Sequence, residues 1–183
     1  MIFKAIEFAV KAHSGQFRKQ SRLPYIVHPI AVAKLLITHN CPDTTVVAGI
    51  LHDTVEDTPV TLKELQEQFG SAVAELVAYA TEPAKSHPWE MRKQHTLETI
   101  RSAPEEACLL ICADKLHNLR SIREEMMQSG EAVWHRFSRP KEKQRWYFES
   151  LVRAFNHKID GEVRHNLFRE FEEEVRNVFG ARK

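Results

Sequence analysis

The chain has 183 residues, 43% of them hydrophobic and 28% charged, with a formal net charge of +1. This length suits one sizeable domain, and the near-zero charge excludes a global field that would draw in nucleic acid. No apolar run approaches the roughly 20 residues of a membrane helix, and MIFKAIEFAVKAHSG lacks a signal-peptide core, so the expectation is a cytoplasmic protein without a membrane or nucleic-acid partner.

The pattern is helical nearly throughout. Residues 2–13 place Phe3, Ile6, Ala9, Val10 and His13 on one side of an amphipathic helix. A polar, basic loop follows, SGQFRKQSRLP, before Pro29 opens a second helix, PIAVAKLLITHN. Pro42-Asp43 break the chain ahead of a third helix, which carries His52 and Asp53 and closes at Thr58-Pro59. On one continuous helix His52, Asp53, Glu56 and Asp57 share a broad face. Thr61 and Glu64 form a capping-box signal for TLKELQEQFG, which Gly70 ends.

Residues 71–81 read as another helix, and Pro83 and Pro88 bracket a loop, EPAKSHPW. Helical patterns resume over 89–102, 104–127, 130–136, 140–157 and 160–179, the last a packing helix with a charged outer face. No alternating run or Asn-Gly or Asp-Gly hairpin argues for strands. The expected fold is all-α, a single compact bundle of eight to ten helices over 1–183. The odd cysteine set, Cys41, Cys108 and Cys112, argues against disulfides. Leu109, Leu110 and Ile111 place Cys108 and Cys112 in the core.

Three separated pieces carry groups that suit a divalent metal. They are His28 in PYIVHPI, the pair His52-Asp53 in GILHDTVEDT, and Asp114 in LLICADKLHNLRSI. In the last, Asp114, His117, Asn118 and Ser121 form a polar stripe at i, i+3, i+4 and i+7. Taken singly, His28 reads as a hydrogen-bonded junction residue and His52-Asp53 as a chance pair. An ionised Asp114 among Leu and Ile is costly unless paired or metal-bound. Glu56 and Asp57 read equally as proton-handling or solvent-facing carboxylates. Arg18, Lys19 and Arg22 read equally as phosphate binders or a solvated loop.

The order His, His-Asp, Asp resembles the HD phosphohydrolase superfamily. The strings AHSGQFRKQSRLPYIVHPIAVA, GILHDTVEDTPVTLKELQEQFG and ADKLHNLRSI are similar to the hydrolase domain of RelA/SpoT-type proteins and to stand-alone small alarmone hydrolases, over about residues 1–123. The resemblance implies that His28, His52, Asp53 and Asp114 bind one Mn²⁺, and that Glu56 and Asp57 position and activate the attacking water. It implies that Arg18 and Lys19 cradle the nucleotide, with Arg18 packing on guanine. Asn118 would lie near the metal and the ribose-phosphate, and Ser121 at the sugar. The implied reaction removes the 3′-diphosphate of ppGpp or pppGpp, giving GDP or GTP and pyrophosphate. A bound divalent ion lowers the pKa of its water, and a neighbouring carboxylate can accept the proton, so the residues suit that chemistry.

Two segments depart from the family pattern. Arg22 and Leu23 stand where a glycine commonly precedes Pro-Tyr, and residues 82–95, EPAKSHPWEMRKQH, fit poorly. In that segment Lys85, Arg92 and Lys93 could meet phosphates, but the expectation is that they are exposed, and that His87 and His95 are surface residues rather than ligands. Trp146, Tyr147 and Phe148 are expected in the core. The alternatives are an HD-family hydrolase of another nucleotide, such as a nucleotidase, and an inactive nucleotide-binding module.

Overall fold

The computed structural model describes residues 1–18, 22–158 and 165–180. Its α-helices in chain order are α1 (Ile2–Ala12), α2 (Val27–Thr38), α3 (Asp43–Leu51), α4 (Thr54–Asp57), α5 (Leu62–Phe69), α6 (Ser71–Ala80), α7 (Trp89–Ser102), α8 (Glu105–Ser129), α9 (Lys141–Lys158) and α10 (Asn166–Phe179). Gly130–Arg136, where a helical pattern is expected, forms a 3₁₀ helix. Among the described residues the β pairing is limited to an isolated antiparallel bridge between Phe17 and Pro24. The all-α expectation therefore holds. Of the C-terminal helix expected over 160–179, residues 160–164 lie outside the described residues.

The 25-residue α8 is the axis of the fold, packed by α2, α3, α6 and α10. Every residue from Ala107 to Asp114 is buried, so this stretch meets neighbours on all sides. Cys108 and Cys112 are buried within it, as their neighbours indicated. Gly49 lets α3 approach α2 closely: a Cβ there would stand 2.6 Å from Leu36 Cδ1. Behind α8, Phe148, Phe155, Phe168, Phe171 and Phe179 pack as a ring cluster with centroids 5.0–6.4 Å apart. Each such buried side chain contributes about 1.5–3 kcal/mol. Tyr147 and Phe148 join the core as expected, whereas Trp146 is 39% exposed.

Local signals hold at several ends. Thr61 Oγ1 accepts the Glu64 amide at 3.2 Å, which caps α5. Gly70, at φ +92°, turns the chain between α5 and α6. Pro29 is the third residue of α2, still within the first turn, where a missing amide costs nothing. Two expectations fail. Phe3 and Val10 are 85% and 47% exposed, because the short side chains of Ala5 and Ala9 form the seam that lets α1 lie close to α3.

The second failure concerns the helix with His52 and Asp53, which does not run through. It stops at Leu51 and restarts at Thr54. His52 Nδ1 donates to the Gly49 carbonyl at 2.8 Å, and Thr54 Oγ1 donates to the Leu51 carbonyl at 2.7 Å. Those carbonyls would serve the amides of residues 53 and 55 in a continuous helix, so the side chains compete with it.

Candidate active site

Four elements bring the candidate ligands together. His28 comes from the first turn of α2, His52 from the end of α3, Asp53 from the break after it, and Asp114 from mid-α8. His28 Nε2 stands 3.2 Å from Asp114 Oδ1 and 3.4 Å from Asp53 Oδ2. His52 Nε2 stands 3.1 Å from Asp53 Oδ2 and 3.8 Å from Asp114 Oδ1. The two imidazole rings are edge to face, with centroids 5.1 Å apart. One ligand atom each from His28, His52 and Asp114 fall within 4.8 Å of one another.

The donor set fits a divalent cation. The bond from His52 Nδ1 to the Gly49 carbonyl leaves Nε2 directed at the carboxylates, and among the described residues that buried nitrogen has no hydrogen-bond partner. His28 Nδ1 lies 2.7 Å from His117 Nδ1. Burial, with His28 and Arg18 nearby, pushes the His117 pKa down to about 4, so this ring is neutral. It accepts the Nδ1–H of His28, which turns the other nitrogen of His28 toward the carboxylates. For metal–ligand bonds of about 2.1 Å, ligand atoms on a tetrahedron are about 3.4 Å apart, close to the spacings here.

The same cluster sets its own charge. Burial pushes the Asp53 carboxyl up, but His52 and His28 outweigh it and hold it well below the ordinary range. Burial also raises Asp114, and Lys115, His28 and His52 hold it well below. Both carboxylates are thus ionised. Burial lowers His52, yet Asp53 and Asp114 lift it well above its usual value, so a cation entering here displaces a proton.

Around the cluster stand the expected substrate residues, together with Tyr25, His13 and Gln16, for which the sequence offered no role. Tyr25 donates its hydroxyl to Asp53 Oδ2 at 2.6 Å, and burial and Asp53 hold that hydroxyl far above its ordinary pKa. His13, buried, lies 4.9 Å from the Tyr25 ring and 2.8 Å from Gln16 Oε1; Gln16 Nε2 then donates to the Asp57 carbonyl at 2.8 Å. Asn118 Nδ2 donates to Asp114 Oδ1 at 2.7 Å, and Arg18 reaches Asn118 Oδ1 at 3.4 Å. Arg18 also lies over the Tyr25 ring, 5.9 Å from its centroid. Ser121 Oγ donates to the His117 carbonyl on its own helix. Lys19 lies outside the described residues.

Glu56 and Asp57 sit on α4, both partly buried, and residues 82–85 touch both. The Glu82 amide donates to Glu56 Oε2 at 3.2 Å, and Lys85 Nζ pairs with Asp57 Oδ1. Burial and the Glu82 carboxylate raise the pKa of Glu56, with Lys115 opposing. Arg92 and Lys93 are not exposed as expected: they fold onto the buried Glu82 carboxylate at 3.1 and 2.6 Å. Lys85, His87 and His95 are exposed.

Residues 5–141 match the HD domain family. This chain belongs to that family. The HD domain implies a divalent metal, and His28, His52 and Asp114 form a group that could bind one. The guanosine-3′,5′-bis(diphosphate) 3′-pyrophosphohydrolase MESH1 of Homo sapiens is 42% identical over 125 residues, covering 66% of this chain and 69% of the relative. The pyrophosphohydrolase of Spiroplasma citri is 38% identical over 126 residues, of which the match spans 17% of that longer protein. Two solved structures share the HD fold at a TM-score of 0.79. One is lmo0812 of Listeria monocytogenes EGD-e, 37% identical, covering 84% of this chain and 99% of that one. The other is a metazoan ortholog of SpoT described as hydrolysing ppGpp, 26% identical, covering 98% and 96%.

Proposed function

We propose that this HD-domain chain is a Mn²⁺-dependent pyrophosphohydrolase of guanosine 3′-diphosphates. It would convert ppGpp or pppGpp to GDP or GTP and pyrophosphate. The observation that carries this reading is the convergence of His28, His52 and Asp114 beside a carboxylate pair whose Glu56 has a raised proton affinity. The relatives named as ppGpp 3′-pyrophosphohydrolases support the choice of substrate.

In this reading His28, His52, Asp53 and Asp114 hold the metal. A divalent ion would lower the pKa of a water and offset charge on a phosphoryl oxygen. Glu56, held by the Glu82 amide, takes the water's proton, since a base with a raised pKa matches that task. Asp57 keeps the water in line. The water oxygen bonds to the phosphorus on the 3′ oxygen as the P–O3′ bond breaks. The 3′ oxygen leaves as a hydroxyl by taking the proton that Glu56 gained, and pyrophosphate keeps the water's oxygen. Arg18, Lys19, Asn118 and Ser121 bind the guanosine part, the first through the flat guanidinium face. No nucleic acid or membrane takes part, and the setting is cytoplasmic.

The test is incubation of Mn²⁺-loaded protein with ppGpp and a panel of other phosphorylated nucleotides. Stoichiometric GDP and pyrophosphate are expected. Preferential attack on a nucleoside 5′-monophosphate would overturn the substrate assignment, and no turnover of any nucleotide would overturn hydrolysis itself.

A further inference from the structure

The segment that departs most from the family pattern, residues 82–95, is built into the site. Its centre is the Glu82 carboxylate, 7% exposed, which meets Lys93 Nζ at 2.6 Å, Arg92 Nη1 at 3.1 Å and Lys115 Nζ at 3.9 Å. Lys115 Nζ also reaches Asp114 Oδ2 at 2.7 Å. The two oxygens of Asp114 therefore look to different sides. Oδ1 serves His28 and Asn118, on the flank with Arg18. Oδ2 serves Lys115, on the flank with Lys93, Arg92 and the Glu56–Asp57 pair.

The second flank is rich in cations. Three of them share the one carboxylate of Glu82. Burial and the neighbouring Lys115 push the Lys93 ammonium below its ordinary pKa, which reflects that crowding. Lys93 is also fixed in place over the Tyr147 ring, 4.9 Å from its centroid. Lys85 differs from the other three. Its side chain is 62% exposed, and among the described residues its ion-pair partner is Asp57. An ion pair so open to water is cheap to exchange.

We propose that Lys85, Lys93, Arg92 and Lys115, organised by Glu82, form the subsite for the diphosphate that leaves. This rests on the pyrophosphohydrolase reading above and adds to it where each half of the substrate lies. The guanosine takes the Arg18–Asn118 flank, and the distal phosphate takes the Glu82 flank. Lys85 exchanges Asp57 for a phosphate oxygen as substrate enters, which frees the Asp57 carboxylate to face the water.

The test is calorimetric titration of the Mn²⁺-loaded protein with inorganic pyrophosphate at fixed free Mn²⁺, and separately with GDP. Lys85→Gln should weaken pyrophosphate about tenfold, the loss of one charge-assisted contact, and Lys85→Arg should restore most of it. GDP binding should stay within twofold of the native protein in both variants. Lys93→Met provides a second arm, read alongside its melting temperature. Pyrophosphate affinity within twofold of native in both Lys85→Gln and Lys93→Met overturns the subsite, as does an equal loss for GDP. These titrations need no turnover. A protein that binds pyrophosphate through Lys85 but leaves ppGpp intact would sink the proposed reaction and keep the subsite.

Discussion

Tyr25→Phe isolates one hydrogen bond at the heart of the site. The hydroxyl lies 2.6 Å from Asp53 Oδ2, and its strongly raised pKa keeps it a donor at every working pH. Phenylalanine keeps the ring that His13 and Arg18 pack against, so the change removes the donor and little else. A hydrogen bond to a charged group contributes about 1.5–3 kcal/mol, or roughly 10- to 150-fold in an equilibrium constant. The Asp53 side chain is 16% exposed, so water can reach the vacated oxygen, and the lower end, about tenfold, is expected. The loss should appear in Mn²⁺ affinity, read by competition with a fluorescent chelator, with a melting temperature near the native value. A phenylalanine variant that binds the ion as tightly as the native protein would refute the reasoning that Tyr25 orients Asp53.

Other expectations follow from the same geometry. Glu56→Gln should lose about 10²- to 10⁴-fold in turnover while still binding metal, as removal of a general base does. Because burial and Glu82 raise the Glu56 pKa, its basic form is lost as pH falls through a value above that of an ordinary glutamate. The acid limb of kcat/KM should sit correspondingly high, and Glu82→Gln should move it to lower pH. Asp114→Ala should abolish metal binding and, by stranding Lys115 and His28, cost about 3 kcal/mol in denaturant unfolding. Gly49→Ala should cost about 1–3 kcal/mol, since its Cβ would press on a fully buried Leu36.

Most helices were legible because their signals are local. The Thr61–Glu64 cap, Gly70 and the proline brackets each act within a few residues. The candidate ligands were legible from the order of three separated blocks and the family those blocks resemble; taken singly, only Asp114 stands out against its apolar neighbours. The break at His52-Asp53 was not, because the helical spacing is intact and only side-chain bonds to Gly49 and Leu51 interrupt it. The roles of Tyr25, His117 and Glu82 were hidden for a different reason. Each acts across a long sequence separation, as Glu82 does on Glu56 from 26 residues away. For α1 the pattern favoured large apolar residues, while close packing selected Ala5 and Ala9 and left Phe3 outside.

Anomalous diffraction from crystals grown with Mn²⁺ bears most directly on the central claim. One peak is expected among His28 Nε2, His52 Nε2, Asp53 and Asp114, at ligand distances of about 2.0–2.2 Å. A structure with the ion elsewhere, or with these side chains turned apart around water alone, would contradict it.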